Sequence, residues 1–244
     1  MRSRRPLPEA GARQPDPSHE LRSFGRRRGR KLSARQQHLL DDVLPKLALP
    51  LAEPPPALTA LFPSAPAQTW LEIGFGGGEH LVWQARANPD VGIIGCEVFE
   101  DGVVKVLSAI DEGQLANVRV SSEDARVVLR WLPAASLARA FILFPDPWPK
   151  KRHVKRRLIN RSLLNELARV MRPGAELRIA TDIADYLRTI LLAFRGHAAF
   201  AWQAAGPQDW RERGPDWPPT RYEAKAEREG RRRYYLRFTR TDLA

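Results

Sequence analysis

Between residues 69 and 194 short apolar runs alternate with longer helix-like stretches, and this alternation constrains the fold more than any other property of the chain. Runs at 69–73, 92–97, 118–121, 140–144 and 176–180 read as strands buried on both faces. Stretches near 78–87, 100–111, 124–131, 157–171 and 183–194 read as the helices between them. In the fourth of these, Leu163, Leu167 and Val170 share one stripe while Arg157 and Arg161 point elsewhere, and Pro173-Gly174 closes it. Strand–helix repetition of this kind predicts an α/β fold with a mostly parallel sheet and helices on both faces. Near the C-terminus Tyr234, Leu236 and Phe238 alternate with Arg233, Tyr235 and Arg237, which predicts a strand with one buried face, antiparallel to the rest.

The N-terminal third is organised differently. Residues 1–30 show no hydrophobic period and are expected to form a disordered basic arm whose last part, 22–30, adds Phe24 to five arginines. Ser33 is placed to cap a helix to about Leu47, with Leu39, Leu40, Val43, Leu44 and Leu47 on one side. Eleven of the 21 prolines precede residue 67, so 31–68 is expected to be a helix followed by a proline-rich connector, with the compact domain occupying 69–244.

Charge narrows the partner. The net +12 is segregated: residues 1–38 are net +8, 148–161 net +7 and 221–240 net +5, which leaves the remainder at −8. A mildly acidic body with three basic segments suits a nucleic acid, because each neutralised phosphate releases counterions. One cysteine, Cys96, cannot form an internal disulfide, and no CxxC or HxxxH spacing offers a zinc site. No export signal or membrane span is visible, so the expectation is a reduced, cytoplasmic protein without metal.

The first strand runs into Leu71-Glu-Ile-Gly-Phe-Gly-Gly-Gly-Glu-His80. Gly74, Gly76 and Gly78 let the backbone turn sharply and let a ligand approach where the following helix offers free N–H groups. A dinucleotide fingerprint would have glycine where this chain has Glu79, and Glu72 replaces the usual apolar residue before the glycines. The second strand ends at Glu97, spaced from Gly74 as an acid that takes ribose hydroxyls; Asp124 follows the third, placed for an adenine edge. An acid-lined crevice favours a cation, and S-adenosylmethionine brings a sulfonium and an ammonium where NAD brings a pyrophosphate.

The fourth strand runs into Phe144-Pro-Asp-Pro-Trp-Pro-Lys-Lys-Arg-His153. Three prolines in five residues are expected to fix one extended path that holds Asp146 and Trp148 in place. Asp146 can accept hydrogen bonds from the N1–H and exocyclic amine of guanine, and Lys150, Lys151, Arg152, His153, Lys155, Arg156 and Arg157 follow as a phosphate-binding run. The fifth strand ends in Thr181-Asp182, and Thr220-Arg-Tyr-Glu223 is at once a capping box and a candidate substrate contact.

Over roughly residues 22–240 these motifs together resemble the bacterial tRNA (guanine(46)-N7)-methyltransferases, which modify a guanosine of the variable loop; the proline-aspartate-proline-tryptophan block with its basic tail is the most specific element. The resemblance implies a class I, Rossmann-like methyltransferase fold with a seven-stranded sheet, S-adenosylmethionine as cofactor and tRNA as substrate. It implies that Glu72, Glu97, Asp124 and Asp146 contact the cofactor, with Gly74, Gly76 and Gly78 beneath it, and that Asp146 is the catalytic candidate. Lys150, Asp182, Thr220, Arg221, Tyr222 and Glu223 would bind the substrate, and Arg152, His153, Lys155, Arg156 and Arg157 would contact RNA. Arg221 stands where a lysine is commoner, and residues 1–21 and 50–66 have no counterpart in the pattern. Two other readings fit the same residues: a methyltransferase of another RNA base, and a catalytically silent tRNA-binding subunit.

Overall fold

The computed structural model describes residues 25, 27–29 and 31–243. The expected arm therefore lies outside the described residues except for these four positions.

Seven strands form one sheet: β1 Gln68–Ile73, β2 Val91–Cys96, β3 Val118–Ser121, β4 Leu137–Leu143, β5 Met171–Thr181, β6 Phe200–Trp202 and β7 Tyr234–Arg240. Their spatial order is β3-β2-β1-β4-β5-β7-β6. β1 to β5 are mutually parallel, and β7 runs antiparallel to both β5 and β6. The α/β sheet and the antiparallel final strand are as the sequence predicts; β6, three residues at the edge, has no periodicity to announce it.

The helices are α1 Ala34–His38, α2 Leu44–Leu47, α3 Glu79–Ala87, α4 Glu100–Gly113, α5 Ala125–Trp131, α6 Arg161–Val170, α7 Ala184–Phe194, α8 Gln208–Arg211 and α9 Arg221–Arg228. Alternation along the strands divides the core. Leu71, Ile73, Ile94 and Ile142 pack with α5, α6 and α7 on one face, while Trp70, Ile93 and Phe141 pack with α3 and α4 on the other.

Three details depart from expectation. The helix expected at 33–47 has its Ser33 capping box, but a π-helical turn at Leu39–Val43 separates α1 from α2, at the place where Pro45 has no N–H to donate. The stretch expected as a connector is packed: Leu49, Leu58 and Phe62 are buried in the core, and Ala48 bridges to Val120 of β3. The helix expected from 157 begins later, because Asn160 caps it through the Leu163 N–H at 3.0 Å and a 3-10 turn, Lys151–Arg156, takes the basic run.

Since β1 lies between β2 and β4, the chain reverses its direction of travel across the sheet there. Such a switch point opens a crevice at the carboxyl ends of the strands, between the glycine loop after β1 and the proline loop after β4.

Candidate active site

The glycine loop has the conformation that its composition demands. Gly74, Gly76 and Gly78 sit at φ +74°, +56° and +80°, a region costly for any residue with a Cβ, and Gly78 caps α3. The Gly74 N–H donates to the Cys96 carbonyl at 2.8 Å, tying the loop to the end of β2. Above Gly74 the space is open, with no atom within 4 Å of an added Cβ.

A glycine outside the loop turns out to matter as much. A Cβ on Gly102, in the first turn of α4, would lie 2.3 Å from the Gly76 carbonyl oxygen. Sequence reading passed it over; a glycine in the opening turn of an otherwise good helix was the available signal. Gly102→Ala is expected to push the loop out of place and, on the sequence expectation that the crevice takes S-adenosylmethionine, to weaken S-adenosylhomocysteine binding by about tenfold or more, with the melting curve still cooperative. Unchanged affinity in a calorimetric titration would mean that the loop tolerates the shift.

The acids occupy distinct environments. Glu97 accepts from the Gly76 N–H through Oε2 and the Phe99 N–H through Oε1, both at 2.9 Å, so it braces the glycine loop from the adjacent strand end. Glu72 is buried at 3% exposure, and its Oε2 lies 2.7 Å from His80 Nδ1. Asp124 caps α5 and accepts from Arg126 at 2.9 Å from both N and Nε and at 2.8 Å from Nη2. Burial raises its carboxyl, but the Arg126 bonds and the nearby Arg27 outweigh that and hold it below the ordinary carboxylate range. The stability this supplies is present above the unfolded pKa and is lost as pH falls through the lowered one.

Arg27, one of the four described positions of the expected arm, lies near Asp124 at this end of the crevice. Its carbonyl accepts the Glu100 N–H at 2.9 Å, and Arg27, Arg28, Leu40, Leu44, Val98 and Ser122 are among the residues lining a cavity of about 260 Å³. Burial, Asp124 and Glu97 together push the Cys96 thiol far up, so it stays protonated.

After β4 the chain does not follow one extended path. Phe144 and Trp148 both take positive φ, +51° and +42°, so the proline loop is bent at each end. Asp146 is exposed between them, and no side chain among the described residues hydrogen-bonds its carboxylate. Trp148 is held by the His153 ring edge at 5.8 Å and the Arg156 guanidinium at 5.0 Å. Lys150, Lys151, Arg152 and Lys155 are exposed. Slight desolvation, with Arg156, Arg152 and Lys150 nearby, pushes the His153 imidazole below its ordinary value, so it adds little positive charge.

Arg157 corrects the expectation for the basic run. It is 3% exposed, and its Nε donates to the Pro147 carbonyl at 2.9 Å while its other nitrogens bond Asp185 and Thr189. With its donors spent inward, Arg157 anchors the proline loop and is not exposed as Lys150, Lys151, Arg152 and Lys155 are.

The last motif lands on the first. Thr220 and Glu223 form the expected capping box, at 2.7 and 3.3 Å, and both are buried; Glu223 also accepts from Tyr235 at 2.6 Å. That leaves Arg221 and Tyr222 outward. The Tyr222 hydroxyl lies 2.8 Å from where a Gly76 Cβ would be, its ring stacks on Phe144 at 6.2 Å, and Arg221 approaches Glu79 at 3.5 Å. Asp182 is paired with Arg231 at 2.7 Å.

The arrangement brings the glycine loop, Glu97, Phe144 and Tyr222 into contact, while Asp124 and Asp182 are each engaged by a neighbouring arginine. A family model described as "Putative methyltransferase" matches residues 66–236. The tRNA (guanine-N(7)-)-methyltransferase of Rhodospirillum rubrum is 52% identical over 236 residues, covering 93% of this chain and 91% of that protein. That of Brucella melitensis is 49% identical over 231 residues, covering 92% and 99%.

The chain belongs to the tRNA (guanine-N(7)-)-methyltransferase family.

Solved methyltransferases share the fold at low identity: 16S rRNA methyltransferase KamB at 18%, with a TM-score of 0.51 over 72% of this chain and 89% of that one, and TrmN from Thermus thermophilus at 16%, with a TM-score of 0.51 over 72% and 44%. The sheet thus has the class I methyltransferase fold, and this chain's glycine loop lies at its switch point. No helix among the described residues is long and apolar enough to cross a membrane.

Proposed function

We propose that this chain transfers a methyl group from S-adenosylmethionine to N7 of a guanosine in the tRNA variable loop, guanine 46. The observation that carries the reading is the pairing at the switch point of an acid-flanked glycine loop with an exposed aspartate on a braced loop.

The donor set suits the cofactor. Open space above Gly74 can admit a ligand backbone-close, Glu97 is ordered by two N–H groups at 2.9 Å, and anions at 72 and 97 fit a ligand with cationic centres. Bound there, S-adenosylmethionine would supply an electrophilic methyl carbon. Its affinity should persist where NADH shows none, because a pyrophosphate would meet Glu72 and Glu79; calorimetry with NADH and S-adenosylhomocysteine decides between them.

The acceptor sets what the protein must do. Guanine N7 holds an in-plane lone pair at neutral pH, so no proton has to be removed before attack. Asp146 orients the base through its N1–H and amine and answers the positive charge that grows on the ring, a role of placement and electrostatics. Lys150, Arg152 and Lys155 face outward from the turn after Trp148 and bind the flanking phosphates.

Neutralising Arg152 and Lys155 together should therefore weaken tRNA binding and reduce the slope of log K against log salt by roughly one unit per lost contact. A slope equal to the parent's would remove both from the interface. The reading as a whole is tested by incubating the protein with labelled S-adenosylmethionine and unmodified tRNA and mapping the label: N7 of the variable-loop guanosine is expected, and label on another base or none would overturn it.

A further inference from the structure

Behind Glu72 lies a chain of side chains that the reaction as described does not use. His80, at 2% exposure, places Nδ1 2.7 Å from Glu72 Oε2 and Nε2 3.1 Å from Gln84 Nε2. Gln84 Nε2 also donates to the Asp216 carbonyl at 2.9 Å, and Gln84 Oε1 accepts from Asn88 Nδ2 at 3.0 Å. Asn88 Nδ2 in turn donates to the Gln84 carbonyl at 2.9 Å.

Two of these partners are backbone carbonyls, which only accept, so neither amide can be reversed without losing a bond. The orientation of Gln84 then settles the imidazole. Its N–H points at His80 Nε2, which must accept, so the ring proton sits on Nδ1 and is donated to Glu72. Phe141 and Trp217 hold the ring edge-on at 4.6 and 5.8 Å, and Asp216 is itself clamped by Arg178 at 2.8 and 2.6 Å. Glu72 Oε1, by contrast, has no hydrogen-bond partner among the described residues, two positions before the open space over Gly74.

We propose that His80 is a positioning residue: fixed in one tautomer by Gln84, it holds Oε2 of Glu72 so that Oε1 is presented to the cationic amino-acid end of the cofactor. This rests on Glu72 being a cofactor-contacting acid. A buried carboxylate with one oxygen tethered and the other free is ordered before the ligand arrives, and a charged hydrogen bond made to a pre-placed partner loses least to entropy.

The test compares two ligands by calorimetry. S-adenosylhomocysteine carries the amino-acid end, and 5′-methylthioadenosine lacks it. His80→Leu should weaken the first by about tenfold or more, the order expected for one charge-assisted hydrogen bond, and leave the second within about twofold. Glu72→Gln should show the same selectivity, and adding His80→Leu to it should cost little more, because His80 acts only through Glu72. Equal losses for both ligands, or losses that add in the double variant, would overturn the proposal and leave His80 a packing residue. If Glu72→Gln binds both ligands normally, the assignment of Glu72 itself fails and the proposal falls with it. Should His80→Leu not fold, Gln84→Leu decides: it removes the donor to Nε2, along with the bonds to the Asp216 carbonyl and to Asn88, while leaving the imidazole and Glu72 in the chain, and should still produce a selective loss of about threefold, whereas no selective loss overturns the relay.

Discussion

Asp146→Asn binds S-adenosylhomocysteine and tRNA within about tenfold of the parent chain, yet its single-turnover rate falls by about two to three orders of magnitude; this is the expected result, and the one with the largest effect on activity. The carboxylate is exposed and makes no hydrogen bond to a described side chain, so its replacement removes no structural contact seen in the fold. An amide keeps the shape but loses the charge that the positive ring needs, and it presents a donor toward a base edge that also donates. The loss therefore belongs to kcat more than to binding. Asp146→Ala should behave alike, since the charge is what matters. Because N7 carries no proton to remove, the rate should show no limb between about pH 6 and 9 that Asp146→Asn abolishes. Such a limb would make Asp146 a general base and an exocyclic amine the acceptor; a near-normal rate for Asp146→Asn would leave the aspartate without a catalytic role.

The parts of this molecule that follow from local pattern were legible in the sequence. Buried strands announce themselves by apolar runs, and the five parallel strands and the antiparallel β7 were found that way. The glycine loop, with φ positive at three glycines, was equally readable, because only glycine takes that backbone cheaply. What was hidden depends on contacts between distant segments. Nothing near Tyr222 tells that its hydroxyl will lie over Gly76, or that its ring will stack on Phe144. Gly102 stands out only as a glycine in a helix's first turn, and the reason for it, the Gly76 carbonyl, is 26 positions away in the chain. The bends at Phe144 and Trp148 also escaped: proline restricts its own φ and biases its predecessor, but the positive φ at Phe144 and Trp148 is imposed by surroundings that sequence does not display. The basic run shows the limit most sharply, since its spacing gives no sign that the Arg157 side chain is buried and bonded to the Pro147 carbonyl while Arg152 and Lys155 are exposed.

That arginine gives the largest expected effect on stability. In sequence Arg157 is indistinguishable from Arg152 and Arg156, but in the fold its guanidinium spans the Pro147 carbonyl, Asp185 and Thr189 and lies 5.0 Å from the Tyr186 ring centre. Tyr186 is fully buried, its phenol is pushed up to about 12 chiefly by that burial, and its hydroxyl accepts the Ile159 N–H at 3.1 Å. Arg157→Leu fills part of the volume but leaves the Pro147 carbonyl and Thr189 without their donor, which should cost about 2–3 kcal/mol; much of Asp185 is exposed and recovers water, so the Asp185 pair adds less than a fully buried one would. For a chain of this size that predicts a fall in Tm of roughly 4–12 °C. Arg157→Lys should recover little, because a single ammonium cannot reach partners arranged for a planar fork. Since Pro147 directly follows Asp146, turnover should fall as well, while the salt dependence of tRNA binding stays as in the parent. Arg152→Leu should behave in the opposite way, with Tm moving little and the salt slope becoming shallower. If Arg157→Leu instead kept its Tm and flattened the slope, the guanidinium would face the RNA after all, and the basic run would be one continuous phosphate-binding surface.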